Sequence, residues 1–285
     1  MERSIAYIGF GEAGRAFATG HAPELRLSAF DLKRAAMRDA FAEAQVEDAA
    51  SAEQALTGAE AVLSLVTADE ALLAANDYAP YLAPGALWID MNSIAPDTKR
   101  AAAHAIEASG GRYVDVAVMA PVHPAGRAVP LLVSGPHAEA GAELLEAMGF
   151  THVRVIAGDI GAASSVKMIR SVIVKGIEAL TAECMLAAEA AGVRGEVLAS
   201  LDASDKPKPW AERADYNLDR MLVHGTRRAA EMAEVVKTLE ALGIDAAMTH
   251  GTVQRQREAG AIGQGAPHGL DAKLQLLLDR KAKAA

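Results

Sequence analysis

Short apolar runs alternate with helical segments along the first half of the chain. Strands are predicted at residues 4–8, 26–30, 59–66, 86–91, 113–118, 130–134 and 152–156. Helices are predicted between most of them, at residues 15–20, 32–44, 52–56, 70–73, 95–109 and 138–148. Regular alternation of strand and helix is typical of a parallel, doubly wound sheet. Residues 1–160 are therefore predicted to form an α/β domain built on such a sheet.

The second half of the chain shows helical periodicity almost throughout. Residues 163–191 are apolar nearly all round, and a helix of that kind is normally buried. We therefore expect a buried helix over residues 161–192 that joins two domains, with Cys184 as a small core residue. Further helices are predicted at residues 194–201, 216–242 and 270–283. Residues 161–285 are thus expected to form an all-α domain.

Composition narrows the possible function classes. The chain has 285 residues, of which 51% are hydrophobic and 23% charged, as in a globular protein of two domains. A formal net charge of −9 argues against a nucleic-acid or anionic-membrane partner. The single cysteine excludes an internal disulfide and suits a reducing compartment. Because we see no apolar leader and no apolar run of bilayer length, we expect a cytoplasmic protein, and we expect no metal site.

A glycine-rich turn follows the first predicted strand directly. Its six residues are Gly9, Phe10, Gly11, Glu12, Ala13 and Gly14. This is the pattern G-x-G-x-x-G between a strand and a helix, the context in which it binds dinucleotides in Rossmann-type domains. One glycine makes the tight turn, the next lets the backbone approach a pyrophosphate, and the third lets helix and strand pack closely. The turn is therefore predicted to bind a dinucleotide cofactor.

An acidic residue follows at the distance that such a site requires. The second predicted strand ends on Asp31, about 20 residues after the glycines, where a carboxylate can accept hydrogen bonds from the adenosine ribose. A carboxylate there repels a 2′-phosphate, so Asp31 favours NAD. Lys33 and Arg34 lie just beyond it and are able to bind such a phosphate, which leaves NADP possible.

Polar residues follow several of the other predicted strands. Ligands of doubly wound sheets bind outside the carboxyl ends of the strands. Thr67 and Asn92 are therefore candidate cofactor contacts, and Ser93 is a candidate substrate contact and catalytic residue. The alternative interpretation is local, because Asn92 and Ser93 stand just before Pro96 and have the chemistry of a helix cap.

Taken together, these residues resemble the β-hydroxyacid dehydrogenase superfamily, which includes 3-hydroxyisobutyrate, tartronate semialdehyde and 6-phosphogluconate dehydrogenases. The likeness covers nearly the whole chain, including residues 90–93, residues 115–118 and the pair Gly161 and Lys167. In the family, the lysine of this pair is the catalytic acid/base. The resemblance implies that Lys167 serves hydride transfer between NAD, or NADP, and a hydroxy or oxo substrate. It also implies a homodimer, with residues 161–285 as the substrate and dimerisation domain.

Two departures from the family pattern affect substrate recognition. Four residues after the lysine the family usually has asparagine, where this chain has Ser171, and we expect Ser171 to take part of its orienting role. The family loop that holds the substrate carboxylate has a serine and glycines, where this chain has Met119, Ala120 and Pro121. These three residues are expected to contact the substrate, but they cannot clasp an anion. Substrate recognition must therefore differ from that of the well-known members.

Basic residues elsewhere are candidates for the missing anion contact. Arg170 lies three residues beyond Lys167, and His224 and Arg228 share one face of a predicted helix. We interpret Arg170, His224 and Arg228 as candidate substrate contacts. The alternative for His224 and Arg228 is a solvated, salt-bridging helix face. This part of the chain resembles a divergent subgroup whose C-terminal domain has no assigned function.

Two other functions are compatible with these motifs. Imine reductases share the fold but typically lack the lysine, so Lys167 argues against that activity. A dinucleotide-binding regulatory protein without turnover is made plausible by the altered residues Met119 and Ser171. Under every interpretation the expected partner is a small molecule, with no nucleic acid and no membrane.

Overall fold

The computed structural model describes residues 3–204, 207–262 and 265–284. The chain divides into two compact units, Met1–Val172 and Ile173–Ala285. The boundary lies within one long helix, which therefore contributes to both units. None of the helices in these described ranges is long and apolar enough to cross a membrane. The assignment of cofactor binding to residues 1–160 and of substrate binding to residues 161–285 stays a prediction.

The first unit is built on an eight-stranded sheet. Its strands are β1 (Arg3–Ile8), β2 (Leu25–Phe30), β3 (Glu47–Asp48), β4 (Ala61–Ser64), β5 (Leu87–Asp90), β6 (Arg112–Val118), β7 (Leu131–Ser134) and β8 (Val153–Val155). They lie in the order β3-β2-β1-β4-β5-β6-β7-β8, which contains the strand order of a dinucleotide-binding doubly wound sheet. The predicted fold class, a Rossmann-type α/β domain followed by an all-α region, is confirmed.

One pair of strands departs from the parallel arrangement that the sequence predicts. β7 runs antiparallel to β6, with Asp115 opposite Ser134, whereas the other neighbouring strands are parallel. The connection from β6 to β7 contains only a short 3-10 helix, Gly126–Ala128. Parallel neighbours need a crossover connection, usually with an α-helix, so the chain returns here as an antiparallel neighbour.

Helices cover the sheet and then make up the second unit. Within the described residues they are α1 (Glu12–Ala18), α2 (Arg38–Glu43), α3 (Ala52–Leu56), α4 (Ala71–Tyr78), α5 (Pro96–Ala108), α6 (Ala138–Ala147), α7 (Ala162–Ala190), α8 (Arg194–Ser204), α9 (Trp210–Ala241), α10 (Ala247–Gly260) and α11 (Leu270–Ala284). The hydrophobic pattern misses β3 and α10. β3 is two charged residues long, and α10 buries only Thr249, Gln256 and Ala259, so neither displays an apolar run or stripe.

The core of the first unit lies on both faces of the sheet. Successive residues of β1 alternate between the two faces, as the strand period of two requires. Ile5 and Tyr7 belong to one buried cluster, and Ala6 and Ile8 belong to the other. Because the strands are buried on both faces, they form the continuous apolar runs that make them predictable from the sequence.

Helix α7 is not the buried helix that its composition predicts. Ala163, Ser164 and Ala188 are buried, but Ile169 is 71% exposed and Leu186 is 59% exposed. Cys184 is also exposed, so its expected place in the core is wrong for the single chain. An apolar helix is predicted to be buried because exposed apolar surface is costly, but these side chains are exposed in the described part of the chain.

The second unit contains a close crossing of α9 and α10. A Cβ atom at Gly225 would collide with the carbonyl oxygen of Gln256, and one at Gly260 would collide with the backbone nitrogen of Thr226. Only glycine lets the two helix backbones approach to this distance.

The same unit holds α10 to α7 by a charged cap. Both carboxylate oxygens of Glu183 accept backbone N–H groups at the start of α10, from Met248 at 2.9 Å and Thr249 at 3.0 Å. The partial burial of Glu183 alone would raise its pKa, but the hydrogen bonds from Thr249 and Met248 outweigh burial and lower the pKa.

The crossing predicts different responses from two glycines of the α9–α10 pair. Gly225→Ala should lower the free energy of unfolding by about 1–3 kcal/mol, because the new methyl group overpacks the crossing. Gly251→Ala is the matched control, since a Cβ atom there would meet nothing within 4 Å, and alanine favours a helix interior by about 0.5–1 kcal/mol. Urea denaturation measures both, and equal stability of the two variants would contradict the close crossing.

Candidate active site

The three glycines of the first turn meet three different constraints. Gly9 has φ +90°, and a Cβ atom there would lie 2.6 Å from the carbonyl oxygen of Leu65. A Cβ atom at Gly14 would lie 2.8 Å from the carbonyl oxygen of Gly9, so α1 packs directly on the turn. A Cβ atom at Gly11 would meet nothing within 4 Å. The open space at Gly11, at the N-terminus of α1, is where a pyrophosphate fits.

Asp31 connects this turn to the end of β2. Its Oδ2 accepts the backbone N–H of Phe10 at 2.7 Å, and its Oδ1 accepts that of Lys33 at 2.7 Å. Phe10 contributes only its backbone, because its side chain is buried and stacks on Phe41 with ring centroids 4.6 Å apart. Each carboxylate oxygen of Asp31 keeps a further lone pair for a ribose hydroxyl. The residues present therefore fit a dinucleotide.

A cleft of about 390 Å³ lies beside the glycine turn, at the carboxyl ends of the strands. It is lined by Glu12, Ala13, Leu65, Val66, Ala68, Met91, Asn92, Ser93, Val118, Ala120, Pro121, Val122 and Lys167. Thus the structure brings together predicted residues from the cofactor set (Glu12, Ala13 and Asn92) with Ser93 and Lys167. Thr67 does not line the cleft; it is exposed, and its side-chain hydrogen bond to Asp69 lowers the pKa of that carboxyl group.

Lys167 and Ser93 meet within this cleft. The Nζ atom of Lys167 donates to the Oγ atom of Ser93 at 2.6 Å. Ser171 lies one turn further along α7, and its hydroxyl donates to the carbonyl oxygen of Lys167 at 2.9 Å. The hydroxyl of Ser171 is thus engaged with the helix backbone, and Ser171 is not among the residues that line the cleft. Its catalytic role stays a prediction.

Asn92 presents an acceptor without a partner among the described residues. Its Nδ2 donates to the Oγ atom of Ser64 at 2.9 Å, and its backbone N–H donates to Oδ1 of Asp90 at 2.9 Å. The Oδ1 atom of Asn92 is buried and has no hydrogen-bond partner in the described part of the chain. Because an unpaired buried acceptor is costly, this atom is suited to a donor group of a bound ligand.

The segment after β6 forms one wall of the cleft without an anion clasp. Ala120 and Pro121 line the wall, and Pro121 has no N–H group to offer. Met119 instead packs on a small cluster with Ala117 and Ala163, and it is not among the residues that line the cleft. The exposed side chain of Arg170 donates to the carbonyl oxygen of Met119 at 3.5 Å. Substrate contacts from Met119 and Arg170 stay predictions.

The two basic candidates of α9 belong to the second unit. His224 is exposed, and Arg228 is half-buried. The Nε atom of Arg228 is buried and finds no hydrogen-bond partner among the described residues. Their contact with a substrate stays a prediction.

One charged group in the first unit was not predicted from the sequence. Lys99 is fully buried and lies between two buried carboxylates, at 3.0 Å from Asp90 and 3.4 Å from Asp115. A signal for it is present in the sequence, because Lys99, Ala102 and Ile106 fall on one face of α5. Two aspartates inside apolar strands are the matching signal. A lysine in the first turn of a helix is normally expected to be solvated, so its burial is predictable only when both signals are combined.

Comparison with known proteins identifies the family of this fold and site. Residues 4–158 match the NAD binding domain of 6-phosphogluconate dehydrogenase, and residues 188–259 match a domain of unknown function, DUF1932. The chain is 30% identical to an NAD-dependent L-serine dehydrogenase of Pseudomonas aeruginosa over 223 residues, which cover 73% of this chain and 72% of the relative. The chain belongs to the β-hydroxyacid dehydrogenase superfamily. Its cofactor is accordingly NAD(P), and it is an oxidoreductase of this superfamily.

Solved structures extend the likeness over the full length of this superfamily member. A conserved hypothetical protein of Sinorhizobium meliloti 1021 is 38% identical, covers 98% of this chain and 97% of its own, and superposes with a TM-score of 0.61. An imine reductase of Myxococcus stipitatus in complex with NADP+ superposes with a TM-score of 0.75 at 20% identity, covering 96% of this chain and 99% of its own. At that identity the imine reductase shows a shared fold alone.

Proposed function

We propose that this protein is a dehydrogenase that oxidises a hydroxy substrate, or reduces the corresponding oxo compound, with Lys167 as the general acid/base. The observation that carries the proposal is the meeting of Lys167 and Ser93 at 2.6 Å in a cleft that begins at the glycine turn. When bound, the nicotinamide supplies the hydride acceptor or donor. The NAD-dependent L-serine dehydrogenase relative supports a CH–OH donor.

Proton transfer and binding of the substrate are assigned to residues of the cleft. In oxidation, the neutral amine of Lys167 takes the hydroxyl proton as the carbinol carbon loses its hydride, and the substrate becomes a carbonyl compound. In reduction, the ammonium of Lys167 returns that proton to the carbonyl oxygen. Ser93 holds Nζ of Lys167 in place, and Oδ1 of Asn92 accepts a hydrogen bond from the bound ligand. The apolar wall with Ala120 and Pro121 favours a substrate other than a small hydroxyacid held by its carboxylate.

Imine reduction is the second candidate, and the fold shared with imine reductases favours it. The cleft wall without an anion clasp also suits a cyclic imine, whose nitrogen would take a proton from Lys167. A substrate panel separates the two functions. Reduction of imines without any oxidation of alcohols or hydroxyacids would favour the second candidate, and cofactor binding without turnover on the whole panel would favour a regulatory protein.

We further propose that the protein is a homodimer that buries the apolar surface of α7. Ile169, Ile173 and Leu180 lie along this helix and are 71%, 48% and 45% exposed. Because these residues recur at helical spacing, they form a stripe of the kind that marks an interaction surface.

Replacement of Ile173 by Glu should dissociate the dimer, because it places a charge within the apolar stripe. Sedimentation velocity measures the result against the 29.6 kDa mass of one chain. Glu189→Gln, an exposed change on the same helix, should leave the dimer intact. A wild-type protein that sediments as a monomer would contradict the proposal.

Asp31 should make the protein prefer NADH to NADPH. Arg34, the other candidate for a 2′-phosphate, is already paired with Asp48 at 2.6 Å. Calorimetric titration should show tighter binding of NADH, and Asp31→Ala should weaken it about 10-fold because charge-assisted hydrogen bonds are lost. Asp39→Asn, on the exposed face of α2, is the control and should bind as wild type. Tighter NADPH binding by the wild type would show that Lys33 and Arg34 decide the cofactor.

Loss of the proposed acid/base should affect turnover without affecting the cofactor. Lys167→Met should lower kcat by about 10²–10⁴-fold on the substrate that the panel identifies. The affinity for NADH, measured by calorimetry, should be unchanged, because the cofactor contacts proposed here come from the glycine turn and Asp31. Lys208→Met, an exposed lysine, serves as the matched control. Near-normal turnover by Lys167→Met would remove Lys167 from the chemistry.

A further inference from the structure

Lys99 is a buried cation in the first turn of α5. Its side chain is 0% exposed, although an ammonium is costly to remove from water. Such a group is retained in a folded protein only when its charge and its three N–H donors find partners. Its partners in this structure come from the carboxyl end of β5 and the middle of β6.

Four acceptors surround the ammonium of Lys99. Nζ donates to the backbone oxygen of Asp90 at 2.6 Å and to Oδ1 of Asp90 at 3.0 Å. It also lies 3.4 Å from the backbone oxygen of Val116 and 3.4 Å from Oδ1 of Asp115. One ammonium therefore joins the end of β5 to the middle of its neighbour β6.

Asp90 links Lys99 to the loop after β5. Its Oδ1 also accepts the backbone N–H of Asn92 at 2.9 Å, and its Oδ2 accepts the hydroxyl of Tyr113 at 2.5 Å. Burial, together with the charge of Asp90, raises the pKa of Tyr113 well above its usual value, so Tyr113 acts here as a donor. The backbone that carries Asn92 and Ser93 is thus fixed relative to Lys99.

Asp115 links Lys99 to the start of α7 in the same way. Its Oδ2 accepts the backbone N–H of Gly161 at 3.0 Å and that of Ser164 at 3.2 Å. It also accepts the hydroxyl of Ser134 at 3.1 Å, and Ser134 in turn accepts the backbone N–H of Ala163 at 2.9 Å. The N-terminus of the helix that carries Lys167 is therefore fixed relative to the same ammonium.

We propose that Lys99 is a positioning residue that sets the distance between Lys167 and Ser93. Lys167 stands on the helix whose start is held by Asp115, and Ser93 stands on the loop that is held by Asp90. Because both carboxylates pair with the one ammonium, Lys99 is the common reference of the two segments. The catalytic meaning of this role rests on the proposed function, but the positioning itself does not.

Removal of the ammonium should act on both segments at once. Without Lys99, the carboxylates of Asp90 and Asp115 are left buried together without a cation between them, and like charges repel. The two carboxylates are then expected to move apart, which moves the loop of Ser93 relative to the start of α7. The contact between Lys167 and Ser93 should lengthen or break as a result.

The test follows the amine of Lys167 directly and needs no substrate. Acylation by an amine-reactive ester is measured at Lys167 by peptide mass spectrometry across a range of pH. In the wild-type protein the hydrogen bond to Ser93 slows the reaction, and Ser93→Ala should speed it about fivefold at a fixed pH, the size of one hydrogen bond. The exposed Lys33 of the same molecules is the internal control.

Lys99→Met should reproduce the effect of Ser93→Ala at Lys167 and leave Lys33 unchanged. The double variant should react no faster than either single variant, because both act on one contact. Lys99→Arg, which keeps the charge, should return the pH dependence of acylation at Lys167 towards that of the wild type. An unchanged rate at Lys167, an equal change at Lys33, or additive effects in the double variant would each overturn the proposal.

Lys99→Met leaves two buried charges unpaired, so it can lower stability by about 3–5 kcal/mol. If it does not fold, Asp115→Asn decides the question, because it keeps Lys99 and Asp90 but weakens the connection from Lys99 through Asp115 to α7. That variant must then speed acylation at Lys167, or the proposal is wrong. Failure of Lys167→Met to lower turnover would reject the proposed function while leaving this result standing, so the two outcomes are distinguishable.

Discussion

A single buried ammonium joins the carboxyl end of β5 to the middle of β6, and the arrangement of the cleft depends on it. Lys99 pairs with Asp90 and Asp115 in a region from which water is excluded. Buried ion pairs contribute little net stability, since desolvation offsets their attraction. Their effect is geometric, because a buried charge without its counter-charge would be costly, and this restricts the arrangements that the three groups can take. That restriction fixes the two segments from which Asn92, Ser93 and Lys167 extend.

The cofactor end of the cleft depends on constraints of another kind. There the backbone itself forms the binding surface, so these positions need glycine, which has no side chain. At Gly9 and Gly14 a side chain would clash with neighbouring backbone atoms. At Gly11 the absence of a side chain leaves open space beside the turn. Asp31 then ties the turn to β2 through the N–H of Phe10. The three glycines themselves lie within one short motif, which is why they can be recognised in the sequence, and Asp31 follows at the spacing typical of such sites.

The same distinction explains how far the sequence could be interpreted. The buried strands and the glycine turn were predictable, because each shows its pattern within a short window. The antiparallel return of β7 depends on the length and content of a connection, and α10 is polar except where it meets other helices. Lys99 was missed because its partners are 9 and 16 residues away and only the fold places them together. The exposed apolar side chains of α7 were misjudged as core, since sequence cannot say whether the surface that covers them belongs to the same chain.

The chemistry of the cleft follows from what each end fixes. A hydride can pass only if the reacting carbon lies against the cofactor, and a proton can pass only if an amine lies near the oxygen. In the proposed mechanism, the glycine turn governs the first distance, and the position of Lys167 governs the second. The cleft also contains the buried Oδ1 atom of Asn92, an acceptor that needs a hydrogen-bond donor. Because the wall of Ala120 and Pro121 offers no charge, the proposed mechanism assigns orientation of the substrate to this acceptor, to Ser93 and to the shape of the cleft.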